Sequence, residues 1–458
     1  MIATSSETYD AVVCGAGIAG IAADYALAYS GLKRVLIVDP GAPLSLTSDK
    51  STECYRNWWP GPGDAMVALM NRSITLMEGH ARDSGNRFLM SRRGYLFTTA
   101  RPEMVETFEA QALEAESLGA GALRRVGNGS EYQPASSEGF DSPLDGADLI
   151  IDRALIDEHF PYLNPETIAV LHARRCGSLS AQQMGMYLLE EARAKGVVFL
   201  TAAFSGIETS GGRVSGVRIE VDGAEQTIRT DTVVLSTGPY LKSNAILLGA
   251  NLPVTVEKHI KISLADPKGA VPRTAPLIIW TDPIDLPWSA EERAALMESE
   301  ETRRLVKTFP AGVHGRPVGA GDQVLMYWTY DCENSDAPTY PLEWDPFLPE
   351  ITLRGMAVLV PGLRQYFDPM PKPYIDGGYY TKTPENRPLI GPLDLPGAYV
   401  SAAFSGFGIM ASCASGELLA KHVTGGVLPS YAPAFNPTRY KDPAYQKLVK
   451  NWDVSGQL

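Results

Sequence analysis

Short unbroken apolar runs alternate along this chain with longer runs whose apolar residues recur at helical spacing. Residues 9–14 (YDAVVC) and 35–38 (VLIV) are apolar on both faces, the pattern of strands buried inside a parallel sheet. The run at 21–29 between them is predicted to be a helix. Met66, Leu69, Met70, Leu76 and Met77 give one apolar side to a helix predicted over 64–82. A strand is predicted at 94–98, an acidic amphipathic helix at 102–118, and a Gly/Ser/Pro-rich surface loop at 127–148. Ser180 and Gln183 form a capping box that opens a helix running to Lys195, with Gly196 as its stop. A strand at 197–200, a hairpin around 214–220 and a buried strand at 232–239 follow. The segment 266–350 is different in texture, rich in Pro, Trp and acids. It contains one predicted helix, 289–309, opened by a capping box of Ser289 with Glu292, and a strand, 323–330. In that strand Val324, Met326 and Trp328 share one face, and Leu325, Tyr327 and Thr329 the other. A strand at 398–402 and a helix at 409–421 complete the pattern, which is that of an α/β chain.

The first strand runs into Gly15-Ala16-Gly17-Ile18-Ala19-Gly20, and the second ends on Asp39. Gly15 permits a tight turn, Gly17 lets backbone approach a pyrophosphate, and Gly20 allows close packing of helix on sheet. The N–H groups of Ile18, Ala19 and their neighbours at the helix start suit phosphate, and Asp39 suits ribose hydroxyls. The acid favours FAD or NAD over NADP. Thr237 and Gly238 end the strand at 232–239, and Phe204 lies just past the strand at 197–200. Both positions fall where a cofactor crosses strand ends. A second glycine-rich helix start, Gly406-Phe407-Gly408-Ile409-Met410, would place a positive helix end near a developing anion such as a reduced flavin.

At 458 residues, two intimately joined domains are expected. The formal net charge of −13, without a Lys/Arg run, argues against nucleic acid and anionic membranes as partners. No apolar stretch is long enough to span a bilayer, and the first eight residues are short and polar, so a cytoplasmic protein is expected. The five cysteines are scattered and read as reduced thiols, and the six histidines show no metal-ligand spacing, so no metal is expected. The sequon at Asn128-Gly129-Ser130 is read as chance.

Three stretches coincide in order and spacing: GAGIAG with Asp39, VVLSTGPY, and RPLIGP followed by AAFSGFGIMASCASGELLA. Together they resemble the D-amino-acid oxidase-like FAD-dependent oxidoreductase superfamily, in its branch of sarcosine oxidases, glycine oxidases and amine dehydrogenases. The resemblance implies a Rossmann-type FAD-binding domain with a second α+β substrate domain built on a large mixed or antiparallel sheet. It implies oxidation of a C–N bond by hydride transfer to flavin N5, with O2 or another acceptor reoxidising the flavin. The loop 48–56 is similar to the sarcosine oxidase loop at the flavin. Ser48, Ser51 and Thr52 are thereby expected at the cofactor, and Arg56 at a substrate carboxylate. Glu53 stands where the family has an arginine, and is read either as a carboxylate attracting a cationic amine, or acting as a base, or as a loop salt bridge. Phe407 and Met410 replace a family His and Lys, so one expected carboxylate anchor is lost. Gly378 replaces the cysteine that tethers flavin in that branch, so FAD is expected to be non-covalent. Tyr380 matches an active-site tyrosine. His259 and Lys261 alternate on one strand face, either as catalytic groups or as solvated residues. Tyr327 and Trp328 lie on the strand expected to line the substrate cavity.

The resemblance thus implies an FAD enzyme acting on an amine, N-methyl amine or amino acid. The same fold acting on a 2-hydroxy acid or other alcohol, with Glu53 or His259 as base, and a non-catalytic flavoprotein assembly factor are the alternatives. Residues 1–90, 155–245 and 375–440 are assigned to the FAD domain, 91–154 and 246–374 to the cap, and 441–458 to a tail; a homo-oligomer is left open.

Overall fold

The computed structural model describes residues 8–127 and 131–452. The first seven residues, the sequon at 128–130 and the last part of the expected tail lie outside the described residues. The buried runs pair as a six-stranded sheet. Its order is Leu389–Pro392, Ala398–Ala402, Val233–Leu235, Ala11–Cys14, Val35–Asp39 and Val198–Thr201, with only the first strand antiparallel to its neighbour. Alternation sorts its side chains. Ala11, Val13, Val35 and Ile37 face a helical layer, and Val12, Cys14, Leu36 and Val38 face the other way. The helical layer is Ile18–Tyr29, Ala65–Asp83, Ala181–Ala194 and Gly408–Thr424. The opposite face is covered by an antiparallel meander, Ala203–Ser210, Arg213–Val221 and Ala224–Arg229, with the short helix Leu241–Ile246 in the same core.

The second sheet is large and mixed. Thr255–Ala265 pairs with both Gln323–Tyr327 and Tyr374–Lys382. From Gln323–Tyr327 the sheet continues through His314–Pro317, Leu277–Trp280, Tyr95–Thr99, Ala169–Ala173 and Ala147–Ile150 to Leu123–Val126. Ala169–Ala173 and Tyr374–Lys382 belong to this sheet, so the seams expected at 154/155 and 374/375 fall within it. One face, with Ile262, Leu264, Val324 and Met326, packs under the helix Leu348–Leu359. The other face looks towards the FAD-type domain.

Several local expectations change. The loop expected over 40–59 contains a strand, Cys54–Arg56, paired with Cys176–Ser178. Ser180 does cap its helix, accepting from Gln183 N at 3.3 Å, but its own N–H goes to the Phe88 carbonyl at 2.7 Å instead of the Gln183 side chain. The helix expected over 289–309 stops at Glu298. Ser299 is extended, and a short turn, Glu300–Arg303, restarts from it. The Ala290–Glu298 helix buries no residue, so nothing holds Ser299 against its preference for a capping position. The strand expected to reach 330 ends at Tyr327, where pairing with Lys261 and His314 stops.

Candidate active site

Two adjoining cavities form one cleft across the strand ends of the six-stranded sheet. The larger, about 290 Å³, is lined by Gly15, Gly17, Asp39, Ser48, Phe204, Thr237 and Gly238, all expected at a cofactor. The smaller, about 100 Å³, is lined by Gly17, Ile18, Ala19, Ser48, Ser51, Gly238, Gly406, Gly408 and Ile409, together with Tyr380. Thr47 and Ser236 line both cavities and were not anticipated. Thr47 has no motif around it; its hydroxyl donates to the Tyr379 carbonyl at 2.8 Å, a partner far away in sequence.

The turn is built as its glycines require. Gly15 has φ +105, and a Cβ there would overlap the Ser236 carbonyl. A Cβ on Gly20 would overlap the Gly15 carbonyl, so this glycine lies behind the turn and lets the helix sit against it. Asp39 accepts from Ala16 N at 2.7 Å and from Gly41 N at 2.8 Å, which fixes its carboxylate at the mouth of the larger cavity. Ser48 Oγ accepts from Ile18 N at 2.9 Å, tying the loop to the helix start.

Beyond the smaller cavity the large sheet presents a row of imidazoles and phenols. Tyr380 stacks on His259 with ring centroids 3.9 Å apart. His259 Nδ1 meets the Tyr327 hydroxyl, and the His314 ring stands edge-on to Tyr327 at 4.9 Å. His259 is 4% exposed, so it is not a solvated strand-face residue: Tyr380, Tyr327, Glu257 and Cys332 enclose it. Burial lowers its pKa, against the pull of Glu257. Burial also takes the His314 pKa down to about 4. Lys261 is half-buried and donates to the Ser51 carbonyl at 2.8 Å, and burial lowers its pKa as well.

Glu53 takes the salt-bridge reading. Its Oε2 lies 3.1 Å from Arg316 Nη2, and its Oε1 accepts from Ala181 N at 3.0 Å, so neither oxygen is turned to the cleft as a base. Thr52 likewise gives its carbonyl to Arg316 Nε at 2.9 Å and is not among the lining residues. Arg56 is buried with its guanidinium 4.5 Å from the centre of the Trp59 ring. Phe407 is edge-on to that same Trp59 at 5.0 Å, and Met410 is buried in the same core; neither lines the two cavities. Trp328 is turned away, to the cap core on the other side of the large sheet. Its indole donates to the Pro310 carbonyl at 3.2 Å.

The sequence model of the DAO family, FAD dependent oxidoreductase, matches residues 10–422. The chain belongs to this family. No curated protein is matched by sequence. Among solved structures, L-proline dehydrogenase from P. horikoshii is 20% identical, with a TM-score of 0.72, over 95% of this chain and 98% of that one. Glycine oxidase from Geobacillus kaustophilus is 17% identical, also at 0.72, over 95% and 99%. Iminodiacetate oxidase from Chelativorans sp. BNC1 is 17% identical, at 0.67, over 93% and 98%. At these identities the likeness is one of fold.

As a DAO-family oxidoreductase the protein uses FAD, and the cleft fits it. The Thr237 and Ser405 hydroxyls are buried without a protein partner among the residues lining it, which is what a ligand rich in acceptors would satisfy. Position 378, a glycine, adjoins Thr47 and offers no thiol for a tether. Among the described residues no helix is long and apolar enough to cross a membrane. Asp39→Ala is expected to weaken FAD binding about tenfold to a hundredfold, because it frees two backbone donors and removes a ribose acceptor. Titration of apoprotein by flavin fluorescence quenching measures this, and unchanged affinity would remove Asp39 from the site.

Proposed function

We propose that the protein oxidises the C–N bond of an amino acid, an N-methyl amine or another amine, releasing an imine that water hydrolyses. The observation that carries this reading is the row His314, Tyr327, His259 and Tyr380, which reaches the FAD cleft at Tyr380. When bound, FAD supplies the hydride acceptor. The chain's own residues hold the donor. Tyr380 and Tyr327 offer hydroxyls and ring faces to an amine. Arg56, whose pKa burial lowers, lies against Trp59 outside both cavities and is not among these contacts. Removing water from this face strengthens the tyrosine contacts. A hydroxy acid would need a base beside its hydroxyl, and Glu53 is held instead by Arg316 and Ala181. The named chemistry of the structural relatives, on proline, glycine and iminodiacetate, supports an amino-acid or imino-acid donor.

Anaerobic mixing of the yellow protein with proline, glycine, sarcosine, iminodiacetate, benzylamine and lactate tests the proposal. Bleaching by an amine is the expected result. Colour returning in air with peroxide identifies O2 as the acceptor, and colour returning only with an artificial acceptor identifies a dehydrogenase. Bleaching by lactate alone would replace amine oxidation with alcohol oxidation.

A further inference from the structure

The row at the cleft does not end at His259. On the far side of the imidazole, Nε2 lies 2.6 Å from Glu257 Oε1, and the same oxygen accepts from Lys382 Nζ at 3.0 Å. Lys382 reaches the half-exposed edge of the sheet. On the near side, Nδ1 meets the Tyr327 hydroxyl, and the Tyr380 ring stacks on the same imidazole with centroids 3.9 Å apart. The register explains the assembly. Glu257, His259 and Lys261 share one face of Thr255–Ala265. Glu257 pairs directly with Tyr380 and Lys261 with Tyr327, which sets His259 diagonally between the two phenols.

We infer that Tyr380, Tyr327, His259 and Glu257 form a proton relay that takes the proton of a substrate ammonium group from the FAD cleft to the imidazole. This rests on the amine reading above. An amine reaches the cleft mostly as its ammonium form, and the nitrogen lone pair must be freed before the C–N bond can be oxidised. The substrate N–H bond breaks as an O–H bond forms on Tyr380. The Tyr380 proton passes to the Tyr327 oxygen, and the Tyr327 proton to His259 Nδ1. Each hydroxyl ends as it began, and the imidazolium is left against the Glu257 carboxylate. No electron moves in this step. The arrangement needs His259 to be neutral with its proton on Nε2, donating to Glu257, and Nδ1 open as acceptor.

The groups that face His259 fit that state. Lys261 lies two positions along its own strand. Tyr327 comes from the neighbouring strand, Tyr380 and Lys382 from the strand on the other side, and Cys332 from the segment after Tyr327. Burial raises the Glu257 pKa, but His259 and Lys382 outweigh it and hold the carboxyl down to about 2, so the end of the relay stays anionic. Cys332 Sγ is 3.6 Å from His259 Nδ1, and Glu257, His259 and Cys332 come close enough together to suggest a metal site. Two facts favour protons over a cation. Both ring nitrogens already have partners, and burial pushes the Cys332 pKa up to about 12, keeping it a thiol.

The test uses FAD-loaded protein and Tyr327→Phe, which keeps the ring and removes the hydroxyl. Anaerobic reduction by the amine that bleaches wild type is followed against pH. Tyr327→Phe should be reduced about 100-fold more slowly near pH 7 and should converge on wild type as pH passes the pKa of the donor amine. Glu257→Gln should follow the same course with a smaller loss. A loss equal at all pH values, or no loss, overturns the relay. A second readout needs no donor: nitrogen NMR of labelled histidines. Nε2–H on His259 supports the relay, and Nδ1–H overturns it even if no amine in the panel bleaches the flavin, a result that would sink only the proposed function. Stoichiometric Zn2+ bound through His259 and lost in Cys332→Ser would also overturn it.

Discussion

Gly15→Val is expected to be purified colourless. Gly15 stands at φ +105, where a branched side chain is strained, and its Cβ would overlap the carbonyl of Ser236 on the adjoining turn. Strain alone costs about 1–2 kcal/mol. The overlap is with backbone, which cannot move aside without shifting Thr237 and Gly238 out of the cleft wall. The FAD affinity should therefore fall by more than about a hundredfold, about 2.7 kcal/mol or more. Gly31→Ala is the control. Gly31 has the same φ of +105, but nothing lies within 4 Å of an added Cβ, so it should lose about 1 kcal/mol of stability and keep its flavin. Flavin absorbance per protein after gel filtration reads both. A yellow Gly15→Val protein with wild-type affinity would show that the turn can relax.

The largest expected effect on stability is at Arg439. Glu385 is 0% exposed and Arg439 7%. Arg439 Nε and Nη2 donate to Glu385 Oε1 at 3.1 and 2.8 Å, and the Tyr440 and Tyr445 hydroxyls donate to the same oxygen at 2.7 and 2.9 Å. Arg439→Met leaves a carboxylate buried without its counter-charge, which costs about 3–5 kcal/mol. Glu385→Gln in the Arg439→Met background should restore part of that loss, since the remaining group is neutral and the tyrosines still donate. Urea midpoints for the two variants decide it; an Arg439→Met protein within about 1 kcal/mol of wild type contradicts the charge argument.

Legibility in the sequence followed distance along the chain. Gly15, Gly17, Gly20 and Asp39 were readable because strand, turn, helix and acid lie within one local unit, and Gly15, Gly17 and Asp39 of that unit line the larger cavity. Gly406, Gly408 and Ile409 were readable as a second helix start, though not as the wall facing Ile18. Glu53 stayed ambiguous because its partner, Arg316, comes from a strand whose register no local pattern specifies. Glu257, Lys382, Cys332 and His314 were missed for the same reason. Each is an ordinary strand or loop residue until Thr255–Ala265 is laid between its two neighbours. Trp328 shows the opposite error. Its face was read correctly from alternation, but which face meets the cleft depends on how the two sheets meet, and it is the Tyr327 face that does.

The larger cavity is walled by Gly15, Asp39 and Thr237, the smaller one by Ile18 and Ala19 facing Phe404, Gly406 and Ile409, and the sheet beneath them completes its pairing only when Ala398–Ala402 arrives beside Val233–Leu235. A ribosome makes chain at about 5–20 residues per second, so the nucleotide half of the site waits tens of seconds for its flavin half. During that time the strand Val233–Leu235 is an open edge, and cofactor cannot lock the domain. FAD capture is then a closing event of biosynthesis, and a cell short of riboflavin would accumulate full-length chains lacking the ligand stabilisation that holo-protein gains.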